Sequence, residues 1–173
     1  MTWDFAETSP VSGASGDFST TIGNMLRILE RESQIRHTGH AELASATKHP
    51  LPDDAAQSFV TDPPYYDAIS YADLSDFFYV WLRRSLHDTL PELFKFEETP
   101  KANEIIVEPT PVADVGVKDQ TFYLENMWRA MAEARRILAP SGVGVIVFAH
   151  KSAAGWEAQL QGKLRAGKIV TAT

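Results

Sequence analysis

The sequence predicts an α/β fold in layers, with a mostly parallel sheet flanked by helices. Two short apolar runs, 58–61 (SFVT) and 143–149 (VGVIVFA), have the length of strands. Between them lie two long segments, 71–86 and 119–138, with apolar residues at helical spacing. The chain order (strand, helix, helix, strand, helix, strand) suits parallel strands joined by helical crossovers.

Residues 1–17 are rich in Ser, Gly, Thr and Pro and are expected to be loop, with Trp3 and Phe5 as anchors. Asp17 or Ser19 caps a helix running to about Ser33. Its Ile22, Met25, Leu26 and Leu29 share one face, expected to pack in a core. Residues 40–47 alternate and are expected to form a strand; 51–57 read as a turn. The strand at 58–61 must stop at Asp62-Pro63-Pro64, because proline brings no N–H to a ladder. In 71–86, Leu74, Phe77, Phe78, Trp81, Leu82 and Leu86 form one apolar face. Residues 96–117 carry prolines and charges without a period and are expected to be a long loop. In 119–138, Leu124, Met127, Trp128, Met131, Ile137 and Leu138 supply the buried side, and Pro140-Ser141-Gly142 is expected to end the helix. The run 143–149 is expected to be a strand buried on both faces, 155–166 a helix stopped at Gly167, and 168–173 the start of a further strand.

A length of 173 residues suits one domain with one core. No apolar run approaches the roughly 20 residues that span a bilayer, so no membrane segment is expected. The first ten residues lack the basic and apolar regions of a signal peptide, and the expected location is cytoplasmic. Without cysteine the chain has no disulfide and no thiolate zinc site. His37 and His40 stand three apart around Gly39, outside any helical pattern, so they read as solvated loop and no metal site is expected. The net charge of −7 runs against a chain that grips phosphates by itself. Arg83-Arg84, Arg135-Arg136 and Lys163/Arg165/Lys168 are scattered and read as solvated helix ends.

The chemistry is concentrated in Val60-Thr61-Asp62-Pro63-Pro64-Tyr65-Tyr66-Asp67. A buried strand delivers a carboxylate, two rigid prolines and aromatic rings at its carboxyl end, where open α/β sheets bind ligands. The Pro63 carbonyl has neither helix nor ladder to satisfy it and is expected to accept from a ligand. An aromatic amino group is a poor nucleophile because its lone pair is delocalised into the ring. Acceptors on both of its N–H bonds, the Asp62 carboxylate and the Pro63 carbonyl, would draw the nitrogen towards tetrahedral geometry and stabilise the positive charge that develops there. Tyr65 is placed to stack on the ring, and Tyr66 to touch the same substrate.

Asp62-Pro63-Pro64-Tyr65 resembles the catalytic motif of amino-group DNA methyltransferases. TDPPYYDAISYADLSDFFYVWLRRSL, the opening MTWDFAETSP, TPKANEI at 99–105 and ARRILAPSGVGVIVFAHKSAAGWE are similar to the central and later portions of a family of large adenine-specific DNA methylases. The resemblance implies a Rossmann-like methyltransferase fold, S-adenosylmethionine as cofactor, and DNA as substrate with its adenine rotated out of the duplex. It carries Asp62, Pro63 and Tyr65 over as the catalytic motif and Pro64 as its rigid spacer. It assigns no catalytic role to His150 or Lys151.

The family's F-x-G-x-G cofactor turn has no counterpart here. Gly13-Ala14-Ser15-Gly16 follows no strand, and Gly142-Val143-Gly144 enters one. Residues 1–173 are therefore expected to be a partial methyltransferase catalytic domain, cut at both ends, that meets the cofactor only from the Asp62 side. A second chain or an N-terminal segment would complete the cofactor site. The competing expectations are an inactive remnant, a plain α/β binding module, and a methyltransferase acting on RNA or on a protein amide. A carboxylate in the first motif position favours a nucleobase, because it stabilises a cationic product better than an amide does.

Overall fold

A computed structural model describes residues 9–167. The chain divides into two compact units, Met1–Leu43 and Ala44–Thr173.

In the first unit, residues 9–17 form turns and α1 spans Phe18–Glu32. Asp17 caps it: one carboxylate oxygen accepts from the Thr20 N–H at 2.7 Å and the other from the Gly13 N–H at 2.7 Å. The stripe of Ile22, Met25, Leu26 and Leu29 is exposed, against the expectation of a core. Periodicity fixes which residues share a face, but it supplies no surface to bury them on. Among the described residues, α1 is the only helix or strand of this unit.

The second unit is mixed α/β. Residues 40–47, expected to be a strand, run from the first unit into the second and carry only an isolated bridge from Ser45 to Lys48. β1 spans Ala56–Thr61 and α2 spans Tyr71–Leu86. The expected long loop at 96–117 contains an antiparallel hairpin, β2 (Glu108–Val112) and β3 (Gly116–Lys118). Pro109 and Pro111 mask it in the sequence, since prolines are tolerated only at such edges. α3 spans Gln120–Ile137, capped by Asp119 through the Phe122 N–H at 2.8 Å. β4 spans Leu138–Ile146 and α4 spans Ala153–Arg165, beginning two residues before its expected start. The strand expected at 168–173 lies outside the described residues.

β1 and β4 form a two-stranded parallel sheet, with Phe59 opposite Gly144, Val60 opposite Val145 and Thr61 opposite Ile146. The Val147 N–H extends the ladder to the Thr61 carbonyl at 2.9 Å. Pro140-Ser141-Gly142, expected to stop a helix, lies within β4, at an irregularity in the register between Ala56 and Ser58. The helix has already ended at Leu138, whose backbone is extended.

α3 lies against β4 on one face of this sheet, and α4 packs on α3. Tyr123, Met127, Met131 and Ala158 form the core, and Ile146 packs against it. Each large side chain buried there contributes on the order of 1.5–3 kcal/mol. Val60, Val143, Val145 and Val147 occupy the opposite face and are exposed, so β4 is not buried on both faces. Leu74, Phe77, Phe78, Trp81 and Leu82 of α2 are likewise exposed, whereas Leu86 is half-buried; Phe77 is 68% accessible. α2 is held instead through polar contacts: Glu104 accepts from the Tyr71 N–H at 2.7 Å, and Asp76 binds Thr99 and Lys101. Among the described residues no helix is long and apolar enough to cross a membrane.

Candidate active site

The Asp62–Asp67 segment leaves the carboxyl end of β1 and is fixed by two elements distant in sequence. β1 enters correctly because residues 49–54 are tied to the end of α3. Arg136 pairs with Glu133 at 2.9 Å and Asp53 at 2.7 Å and donates to the His49 carbonyl at 3.0 Å. The Arg136 guanidinium holds the Glu133 carboxyl below its ordinary value.

At the strand tip the Asp62 side chain is exposed and Pro63 is buried. Asp62, Pro63 and Pro64 form one wall of a hollow of about 260 Å³, whose other walls include Phe59, Met127 and Met131. No described residue donates to the Pro63 carbonyl, whereas the Pro64 carbonyl accepts from the Tyr123 hydroxyl at 3.1 Å. Tyr123 is completely buried, and that burial pushes its phenol up to about 12.

Tyr65 is half-buried. Its phenol is raised, first by hydrogen bonding to the Asp62 carboxylate and then by burial. Its ring meets Phe148 edge-on at 5.3 Å, and Phe148 meets Trp156 edge-on at 5.2 Å. An aromatic chain thus runs from the motif to the first turn of α4. Tyr66 turns the other way: its ring packs on Tyr123 at 5.1 Å and on His150 at 5.7 Å.

Tyr66 also has φ +58°, a left-handed backbone that costs a bulky residue on the order of 1–3 kcal/mol. Three backbone bonds hold the turn. The Tyr66 N–H donates to the Pro64 carbonyl at 3.1 Å, the Ala68 N–H to the Tyr65 carbonyl at 3.0 Å, and the Val107 N–H to the Tyr66 carbonyl at 2.9 Å.

Two contributors to the site escaped the sequence reading. Tyr123 is not among the residues the sequence places on the buried side of its helix. His150, assigned no catalytic role, has its side chain almost wholly buried and reaches Asp67 with Nε2 at 2.8 Å. The available signal was its position at a strand end, two residues before the N-capping Ser152.

A larger hollow of about 580 Å³ lies between residues 96–104 and the β2–β3 hairpin. Its lining includes Asp73, Glu97, Glu98, Glu104, Glu108 and Asp114 against Lys101 and Lys118. The Lys118 ammonium is already engaged, donating to the carbonyls of Lys101 and Glu104, and burial lowers its pKa. An acidic wall around an engaged ammonium repels phosphate, so this hollow does not suit a nucleic acid.

The turn after β1 therefore sets the exposed Asp62 and a Pro63 carbonyl to which no described residue donates on the wall of the hollow, with the Tyr65 ring following outside that wall. No family model, no curated protein and no solved structure matches this chain.

Proposed function

We propose that this chain carries the amine-binding half of an S-adenosylmethionine-dependent DNA methyltransferase of Rossmann-like fold, acting on the exocyclic amino group of a flipped adenine. One observation supports the reading: the exposed Asp62 and the buried Pro63, to whose carbonyl no described residue donates, follow each other at the carboxyl end of a parallel strand and line an apolar hollow.

Asp62 and Pro63 accept the two amine N–H bonds, which localises the nitrogen lone pair and stabilises the charge that grows there. Pro64 is the rigid spacer, its carbonyl already taken by Tyr123. Tyr65 stacks on the base, a contact worth roughly 1–3 kcal/mol in nucleic-acid binders. Tyr66, packed on Tyr123 and His150, supports the turn from below. S-adenosylmethionine supplies the electrophilic methyl group.

The hollow, about 260 Å³, falls below the roughly 300–1,000 Å³ of ordinary ligand pockets and accepts only part of the reacting pair. Gly142 and Gly144 lie inside β4 and Gly13 and Gly16 in the turns before α1, so neither pair leaves a parallel strand as a cofactor turn does. The proposal therefore includes a further polypeptide segment or chain that brings the glycine-rich turn and, given the charge of −7, the basic DNA-gripping surface.

Tritiated methyl transfer by the assembled enzyme to DNA, RNA and protein tests the reading. The expected result is label on adenine in DNA, with Asp62→Ala lowering kcat about 10²–10³-fold, the usual cost of removing one group that stabilises transition-state charge. The isolated chain should bind S-adenosylmethionine more weakly than micromolar by isothermal titration. Undiminished labelling by Asp62→Ala, or label confined to RNA or protein, overturns the assignment.

A further inference from the structure

The Tyr65–Asp67 turn is held by a histidine whose two ring nitrogens do different jobs. His150 Nδ1 lies 3.1 Å from the Ser152 backbone nitrogen and 2.9 Å from the Ser152 hydroxyl. A backbone N–H can only donate, so Nδ1 accepts and the ring proton of the neutral imidazole sits on Nε2. That proton points at the Asp67 carboxylate, 2.8 Å away. The ring is therefore oriented from the first turn of α4 and aims its one N–H at the loop that carries the motif.

The rest of the neighbourhood is shaped to keep it there. A Cβ on Gly155 would fall 2.4 Å from His150 Nδ1, so only glycine lets the ring lie against α4. Trp156 Nε1 donates to the His150 carbonyl at 2.9 Å, and Tyr66 packs edge-on against the imidazole. Asp67 follows directly on Tyr66, whose left-handed backbone would relax if the turn were free. Asp67 itself is half-exposed, so its link to His150 adds little to the core.

We infer that His150 is a positioning residue for the Asp62 site: its Nε2–H fixes Asp67, and through it the strained Tyr66 turn, so that Asp62, the Pro63 carbonyl and Tyr65 keep one geometry. The inference rests on the methyltransferase reading above. It differs from a packing role in requiring the Nε2 donor specifically, because a ring of the same size without that proton would fill the space and leave Asp67 loose.

Amide substitutions separate the two nitrogens in the assembled enzyme. His150→Gln places an N–H donor near the Nε2 position, whereas His150→Asn places an acceptor near Nδ1 and offers nothing to Asp67. Misplacement of about 1 Å at a reacting centre costs about 100-fold, so His150→Asn should lower kcat by that order with little change in the KM for DNA. His150→Gln should recover at least about ten-fold of the loss. Asp67→Ala should match His150→Asn, and Asp67→Asn, which still accepts, should match His150→Gln. Equal kcat in the Gln and Asn variants, or a change in KM alone, overturns the inference.

Amide exchange at residues 66–68 gives a second readout, independent of activity. It should quicken in His150→Asn and Asp67→Ala and stay slower in His150→Gln; equal rates in all of them overturn the clamp. If the unsubstituted enzyme transfers no methyl group, the proposed function falls, and the exchange rates alone decide whether the clamp exists.

Discussion

Tyr123 has no accessible surface, and its hydroxyl holds the Pro64 carbonyl at 3.1 Å. Burial disfavours the phenolate, which places the folded-state pKa at about 12, against about 10 in an unfolded chain. The sign follows directly. The neutral phenol's contribution is complete below pH 10, and it is lost as pH rises from the unfolded value through the folded one. Tyr123→Phe removes both the hydrogen bond and this alkaline weakness. At pH 7 the variant should be less stable by about 1 kcal/mol, the ordinary worth of one such bond. Near pH 11 the parent has lost a comparable amount, so the two urea-unfolding curves should cross there. Parallel loss by parent and variant between pH 10 and 12 would mean that the phenol ionises as readily in the fold as outside it.

α2 shows how an element can be fastened by polar groups while its apolar face stays open. Asp76, on its second turn, accepts from the Thr99 N–H at 2.8 Å, the Thr99 hydroxyl at 2.6 Å and the Lys101 ammonium at 2.7 Å. Hydrogen bonding to Lys101, then to Thr99, lowers the Asp76 carboxyl from 3.8 to about 2. A depressed carboxylate contributes stability above its unfolded value that disappears as pH falls through the folded one. The melting-temperature advantage of the parent over Asp76→Asn should therefore be full at pH 5 and mostly lost by pH 2; an undiminished advantage at pH 2 would locate the difference elsewhere. Signals local to an element were legible in the sequence. The Asp17 cap, the helical period of 71–86 and the strand end at Asp62-Pro63 depend on neighbours within a few residues, and each element stands where its pattern put it. Partners far along the chain were not legible. Nothing beside Pro109 and Pro111 announces a hairpin, and nothing near His150 announces Asp67, 83 residues away. The same limit explains the exposed stripes, because a period names a face without naming its cover.

In the second unit some apolar side chains are buried and others are exposed, and the two groups should answer differently to mutation. Met127, 1% exposed, sits among Tyr123, Met131 and Ala158 and against the backbone of Gly162. Removing its side chain loses transfer free energy and leaves a void, so Met127→Ala should cost about 2–5 kcal/mol. Leu74 and Phe77, each more than half exposed on α2, bury little that a folded chain would miss. Leu74→Ser and Phe77→Ser should each shift stability by no more than about 0.5 kcal/mol, as surface substitutions do. Contiguous exposed apolar surface binds hydrophobic dyes, so the same two changes should lower dye fluorescence of the native chain, while Met127→Ala should not. Urea denaturation and dye titration on the three variants read both quantities. A loss above about 2 kcal/mol in Phe77→Ser would show that this ring is covered in solution, and the open face of α2 would have to be redrawn as part of the core.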